Sequence, residues 1–159
     1  MAFRVLDSSA FYAGIPFSSN EPSYITSLVH NEIEHIKKDH DAVQILIETR
    51  RLMIYDPEHR FIITANNAAK KSGDFPNLSD EDISTIALSL QLKAELVTDD
   101  FALSNVAKNL SIKVIPVMTS GIKNVIIWKY YCPGCKTDFS KVTECPRCGN
   151  RLKRKPMKN

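Results

Sequence analysis

The first 131 residues contain no cysteine, and that absence removes disulfides, thiol nucleophiles and thiolate metal sites from most of the chain. No run approaches the roughly 18 uninterrupted apolar residues that a membrane-crossing helix needs, so no membrane partner is expected. The opening FRVLDSSAF has neither the apolar stretch nor the cleavage site of a secretory signal, and the expected address is cytoplasmic. Neither G-x-x-x-x-G-K-[ST] nor G-x-G-x-x-G occurs, which excludes two common glycine-rich phosphate cradles. Internal repeats and low-complexity stretches are absent as well. The 159 residues, 43% hydrophobic and 25% charged, fit one ordinary α/β domain with a small appendage.

Charge divides the chain. Residues 1–118 carry 11 Lys/Arg against 16 Asp/Glu, a net of −5, whereas residues 119–159 carry 10 against 2, a net of +8. Zinc held by four thiolates would lower the second value by about two. The acidic part suits cations and the basic part suits phosphates, although RLKRKPMKN also reads as a solvated tail.

All four cysteines fall in CPGC (Cys132, Cys135) and CPRC (Cys145, Cys148), nine residues apart. Two C-x-x-C knuckles this close bring four sulfurs to a tetrahedral point, the geometry of structural zinc. Gly134 lies inside the first knuckle and Gly149 follows the second, where tight turns carry amides towards sulfur. Two disulfides are disfavoured in an intracellular chain, and a redox dithiol leaves one pair idle. With four protein ligands no position is open to water, so this Zn²⁺ is structural and supplies folding energy to a segment too small for its own core.

Strand and helix alternate through residues 1–118. FRVLD (3–7) reads as a buried strand, and 25–38 as a helix with Ile25, Leu28, Val29, Ile33 and Ile36 on one stripe. A helix over 41–51, a strand at 52–56, a helix over 58–72 and a loop at 72–79 follow. Ser79 opens a helix with Ile83, Ile86, Ala87 and Leu90 on its apolar face; 94–98 is a strand, 101–110 a helix and 113–118 a last strand. The fold class expected is α/β: a parallel sheet covered by helices on both faces over 1–118, a linker at 119–126, a zinc ribbon at 127–152 and a basic tail at 153–159.

In open parallel sheets, sites form beyond the carboxyl ends of strands. Asp7 ends the first strand, and Asp99 and Asp100 follow ELVT. Glu32 falls on the apolar stripe, four residues after Leu28, and a carboxylate facing a core needs a partner. Asp82, three residues after Ser79, reads equally as part of a capping box. If Asp7, Glu32, Asp82 and Asp100 converge at one sheet edge, a divalent cation must neutralise them, and oxygen ligands select Mg²⁺ or Mn²⁺. One or two such ions would bind a scissile phosphate and activate a water. His30, His35, His40 and His59 form no catalytic pattern and read as surface or packing residues.

VLDSSAF, the T-x-D of Thr98 and Asp100, and an acid ahead of ISTIALSL resemble the PIN-domain nucleases over residues 1–118. KKSGDFPNLSDEDISTIALSL, LVTDDFALSNVA and CPRCGNRLKRK are similar in order and spacing to the Nob-type ribosome-maturation endonucleases, in their compact archaeal form. This resemblance implies that Asp7, Glu32, Asp82 and Asp100 hold the catalytic metal and that Thr98 braces the site. It leaves Asp99 or Asp100 as the main ligand, with the T-x-D spacing favouring Asp100. It implies endonucleolytic cleavage of precursor small-subunit rRNA at the mature 3′ end, giving a 3′-hydroxyl and a 5′-phosphate. The implied partners are that rRNA, the pre-30S/40S particle and assembly-factor proteins.

For RNA contacts the ribbon and tail offer Lys129, Lys136, Arg147, Arg151, Lys153 and Arg154, with Trp128, Tyr130 and Tyr131 available for stacking or for packing beneath the ribbon. Three other readings compete: a non-catalytic RNA- or ribosome-binding module, a toxin-type nuclease of the same fold, and a phosphatase or receiver. The last needs a lysine at a late strand end, and Lys113 stands at the wrong end of its strand.

Overall fold

Val5 and Leu6 are adjacent on one short strand yet end in different hydrophobic cores, because successive strand side chains point to opposite faces. The structure, a computed structural model, describes residues 3–36, 40–117, 127–139 and 144–156. From β1 (Arg4–Leu6), Val5 packs with Ile83, Ile86, Leu88, Leu103 and Val106, and Leu6 packs with Phe11, Ile25, Val29, Ile33 and Leu52. In β4 (Glu95–Val97) the alternation repeats, Leu96 joining the first core and Val97 the second. Burying each such large side chain contributes roughly 1.5–3 kcal/mol, so each strand ties both layers to the sheet.

With β2 (Ser23–Ile25), β3 (Leu52–Ile54) and β5 (Val114–Ile115), these strands form a five-stranded parallel sheet in the order β3-β2-β1-β4-β5. Helices α1 (Ser8–Tyr12), α3 (Ser27–Ile36) and α4 (His40–Glu48) cover the Leu6 face, with Ile15 of α2 (Ile15–Ser18) packed against it. The Val5 face is covered by α5 (His59–Ser72), α6 (Asp80–Leu92) and α7 (Phe101–Asn109). Among the described residues no helix is long and apolar enough to cross a membrane. The chain leaves β1 towards β2, then returns after β3 to place β4 on the other side of β1. This reversal opens a crevice at the carboxyl ends of β1 and β4, where ligands bind in folds of this kind.

Several elements differ from the sequence expectation. Ile25, expected as the first residue of a long helix, belongs to β2, and the helix begins at Ser27. A strand of three residues is too short to display period-two alternation, so its apolar residue merged with the helical stripe. Leu28, expected on that stripe, is exposed, while Val29 and Ile33 are buried. Residues 37–39, the expected end of the helix, and Met118, the expected end of the last strand, lie outside the described residues. The stretch read as a loop at 72–79 contains a 3₁₀ turn at Phe75–Asn77.

The C-terminal segment forms a separate antiparallel sheet in the order β7-β6-β8, from β6 (Trp128–Tyr131), β7 (Asp138–Phe139) and β8 (Lys153–Pro156). Lys153–Pro156, read from sequence as the start of a basic tail, is therefore an edge strand of the ribbon, with Arg154 opposite Tyr130. Its alternation is masked because nearly every residue is cationic. The expected linker at 119–126 lies outside the described residues, as do 157–159.

The ribbon packs on the turn that ends α5. Gly73 adopts φ +84°, and a Cβ there would lie 2.3 Å from the Trp128 carbonyl oxygen. The Tyr130 hydroxyl donates to the Gly73 carbonyl. Asp74 beside it is wholly buried and accepts from Ser72 at 2.8 Å and from Asn105 of α7 at 2.6 Å. Burial pushes the Asp74 carboxyl up, against the pull of Asn105, Ser72, Arg154 and Trp128. Arg154 lies with its guanidinium 4.3 Å from the Trp128 ring centre.

Candidate active site and cysteine centre

Asp7 stands where β1 gives way to α1, as the helix N-cap. Its side chain is only 5% exposed. One carboxylate oxygen accepts from the Ser9 hydroxyl at 2.6 Å and the Ala10 amide at 3.3 Å, and the other accepts from the Thr98 hydroxyl. Burial raises its pKa above the ordinary carboxylate range; the bonds from Ser9, Thr98 and Ala10 oppose the rise, and Asp100 adds to it.

Thr98, buried at the end of β4, also accepts from the Asp100 amide at 3.0 Å, so one hydroxyl ties the two strand-end aspartates together. Asp100 caps α7 by accepting from the Leu103 amide at 2.9 Å through one oxygen. Asp99 is oriented otherwise: its carboxylate accepts from the Val117 amide at 2.7 Å, and its own amide donates to Ser9 at 3.3 Å. Thus Asp99 joins the end of β4 to the chain beyond β5, whereas Asp100 is the neighbour whose charge Asp7 and Asp82 register.

Glu32 on α3 is half-buried at the edge of the Val29–Ile33 stripe, not on it. Burial, then Glu81 and Asp82, raise its pKa, with Asp7 contributing further, while a hydrogen bond from Ser8 lowers it. Asp82 takes the capping position its sequence suggested. It completes the capping box of α6, with the Ser79 amide donating to one of its oxygens at 2.9 Å and its own amide donating to the Ser79 hydroxyl at 3.2 Å. It also belongs to the acidic group, its pKa raised by burial and then by Asp100 and Asp7. A capping box uses one carboxylate oxygen and leaves the other for a ligand.

Three elements, β1, α3 and α6, thus deliver carboxylates whose ionisation is opposed by burial and by neighbouring acids, Asp100 of the β4–α7 turn among them. They are coupled through space without being drawn together. Among the described residues, only the cysteines form a group of three or more such side chains at ligand distance. An all-oxygen donor set, with its charges mutually unfavourable and an oxygen of Asp82 and of Asp100 uncommitted to the caps, fits a hard divalent cation. Sequence reasoning missed Ser8, Ser9 and Glu81. The signal for the serines was present in the two hydroxyls directly after Asp7.

The four cysteine sulfurs lie within 4.8 Å of one another. Cys135 and Cys145 Sγ are 3.7 Å apart, where a tetrahedron with metal–sulfur bonds of about 2.3 Å has edges near 3.8 Å. The two knuckles share one geometry. The Lys136 amide donates to the Cys132 carbonyl at 2.9 Å and the Gly149 amide to the Cys145 carbonyl at 2.8 Å, with φ of +63° and +69° at Lys136 and Gly149. Gly134 has no positive φ, and a Cβ there would push aside only the end of the Asn150 side chain, 2.6 Å away. The Thr137 hydroxyl and amide pull the Cys135 thiol down to about 6, and the proximity of Cys135 pushes Cys148 up to about 12. Cys135 thus ionises readily while its neighbour Cys148 is held protonated, and a shared cation would favour the thiolate of both.

Of the basic residues singled out from sequence, Lys129 pairs with Asp138 at 3.1 Å and Arg154 stacks on Trp128, while Lys136, Arg147, Arg151 and Lys153 are exposed. Tyr130 is the aromatic residue that packs beneath the ribbon, and Trp128 is half-buried. Lys113 sits at the amino end of β5 and pairs with Glu95 at 3.0 Å, away from the carboxylates. His59 is exposed, and the side chains of His35 and His40 lie outside the described residues.

The family profile for the PIN domain of ribonuclease matches residues 5–92. The chain is 33% identical over 157 residues to Endoribonuclease Nob1 of Pyrococcus abyssi, covering 97% of this chain and 94% of that protein. It is 37% identical over 163 residues to Endoribonuclease Nob1 of Methanocaldococcus jannaschii, covering all of this chain and 80% of that one. Ribonuclease VapC1 of Thermoplasma acidophilum is 35% identical over 123 residues, spanning 77% of this chain, so the likeness to it does not extend to the full length. The chain belongs to the PIN-domain endoribonucleases, in the archaeal form whose acidic α/β domain is followed by a four-cysteine ribbon.

Proposed function

We propose that this protein cleaves precursor small-subunit rRNA at its mature 3′ end, using one or two Mg²⁺ or Mn²⁺ ions held by Asp7, Glu32, Asp82 and Asp100. The observation that carries the reading is the electrostatic coupling of these carboxylates, carried by four elements, around the ends of β1 and β4, where Thr98 bridges Asp7 to the Asp100 amide. The substrate comes from the family resemblance of the chain and from the near full-length likeness to proteins named Endoribonuclease Nob1. Such a reaction takes place on the pre-30S particle in the cytoplasm, in the company of assembly factors.

When bound, the divalent ion neutralises the scissile phosphate and lowers the pKa of a water that attacks it. The chain's own part is positioning. Hydroxyls of Ser9 and Thr98 hold the Asp7 carboxylate in one orientation, and the caps of α6 and α7 fix Asp82 and Asp100. Glu32, on α3, completes the ligand set from the far side of Asp7, its carboxyl steadied by Ser8. The cysteine centre takes no part in the chemistry; as a Zn²⁺ site it holds the ribbon folded, and the exposed Lys136, Arg147, Arg151 and Lys153 give the ribbon its grip on phosphates.

The test is cleavage of a short RNA spanning the pre-16S 3′ end, in Mn²⁺ or in EDTA, by the wild type and by Asp7→Asn. One metal-dependent cut, lost in the variant and leaving a 3′-hydroxyl, is expected. Cleavage that survives both EDTA and the substitution would overturn the metal assignment. Cutting of unrelated single strands with equal efficiency would overturn the substrate.

A further inference from the structure

Between the nuclease domain and the ribbon runs a groove of about 400 Å³, lined by Lys70 and Lys71 on one side and by Trp128, Lys129, Asp138 and Phe139 on the other. It exists because the ribbon seats on Gly73, the residue that ends the helix carrying the two lysines. The two walls differ in chemistry. The α5 wall is cationic: Lys70 and Lys71 are exposed, and neither has an ion-pair partner among the described residues. The ribbon wall carries Ile127, Trp128 and Phe139, with Arg154 already over one face of the Trp128 ring, and its one lysine is matched by Asp138. Lysines in the last turn of a helix complement its dipole, which accounts for their position. It does not account for an aromatic wall facing them across an open groove.

We propose that this groove binds a single RNA strand, with its phosphates along Lys70 and Lys71 and a base against the Trp128–Phe139 wall. Cations on one side and flat rings on the other are what an unpaired strand requires, since its backbone is anionic and every base has a face to stack. The volume sits near the low end of small-ligand pockets, roughly 300–1,000 Å³, which is room for one nucleotide. An acidic peptide would meet the lysines but has no planar base to lay on the Phe139 ring.

The groove is also connected to the carboxylates. Asp74, next to the seat, accepts from Asn105, five residues beyond Asp100 on α7, and the chain from Asp74 leads through the 3₁₀ turn into the cap of α6 and Asp82. The end of α5 that lines the groove is thereby tied to the two helices that carry Asp82 and Asp100. The inference rests on the proposed ribonuclease reading for its ligand and extends it to a contact surface on the nuclease domain itself.

The full-length zinc-loaded protein tests it. Binding of a fluorescent eight-nucleotide single-stranded RNA is measured against salt for the wild type, Lys70→Glu/Lys71→Glu and Gly73→Ala. Arg60→Glu/Lys93→Glu is the control, because it makes the same charge change at exposed positions away from the groove. The groove pair is expected to weaken binding at least tenfold and to reduce the log–log salt slope by about 1.4, two phosphates at roughly 0.7 each. Gly73→Ala, which unseats the ribbon without changing charge, should weaken binding while leaving the zinc content intact. KM for a cleaved RNA should rise in both, with kcat within about twofold. Unchanged affinity in the groove pair, or an equal loss in the control pair, overturns the proposal. A wild type that binds RNA through the groove but cuts nothing in Mn²⁺ overturns the ribonuclease reading and leaves the groove standing.

Discussion

The hydroxyl of Tyr130, in the ribbon, donates to the backbone carbonyl of Gly73, in the nuclease domain. A tyrosine hydroxyl inside a domain junction needs a partner, and here the partner is a carbonyl at a helix end that no intrahelical donor can serve. Tyr130→Phe removes the donor and leaves the ring in place. Losing such a buried bond costs on the order of 1–2 kcal/mol. The loss should appear as a weaker junction, with faster amide exchange across Gly73–Leu78 and across β6, while exchange in β1 and β4 stays slow. Equal exchange in wild type and variant would show that the hydroxyl does not hold the junction.

Thr98 offers a second test because its hydroxyl has two duties, donating to Asp7 and accepting from the Asp100 amide. Thr98→Val keeps the shape of the side chain and removes both. Partners that orient metal-ligating side chains typically matter by 10–100-fold in affinity or activity. Mn²⁺ titration of cleavage should shift to higher concentration by that factor. Thr98→Ser should restore it, which a purely packing role would not predict.

The neighbouring aspartates separate more sharply. Asp99 accepts from the Val117 amide and Asp100 caps α7 beside Asp7. Asp99→Asn is expected to retain cleavage within a few-fold and to lose stability by about 1 kcal/mol, through a weakened bond to Val117. Asp100→Asn should lose cleavage by two orders of magnitude or more while keeping most of its cap, since asparagine also caps helices well. The reverse pattern, measured by single-turnover cleavage and denaturant melts, would assign the ligand to Asp99.

The aspartates at strand ends were legible in the sequence because position alone places them: a buried run ends, and the next residue must lie at the sheet edge. The ribbon was legible because cysteine spacing is a geometric statement. What stayed hidden had physical causes. β2 is three residues long and merged with the stripe of α3; the stripe argument for Glu32 therefore relied on Ile25 and Leu28, neither of which lies on the buried face of that helix. Asp82 reads from sequence as cap or site; the structure shows the cap, which occupies one carboxylate oxygen. Gly73 and Asp74 read as an ordinary loop. Their role depends on Trp128, Tyr130 and Arg154, more than 50 residues later, and no local pattern encodes a contact at that distance.

The last test uses proton linkage. Asp7, Glu32 and Asp82 all have pKa values raised above the ordinary range, with burial the first cause in each. A carboxyl with a raised folded-state pKa binds its proton more tightly folded than unfolded. Its contribution to stability is therefore full below the unfolded value, about pH 4, and is lost as pH rises through the folded value. In EDTA these three groups should make the protein progressively less stable over that window. A divalent cation binds only the ionised carboxylates, so its stabilisation must grow over the same window. At a Mn²⁺ concentration near 100 Kd the gain is about 2.7 kcal/mol, or roughly 5–10 °C for a domain of this size. A Tm increment of that order at pH 7.5, shrinking towards zero near pH 4 and absent in Asp7→Asn, is expected by differential scanning fluorimetry. An increment independent of pH would mean that Mn²⁺ binds elsewhere than among these carboxylates.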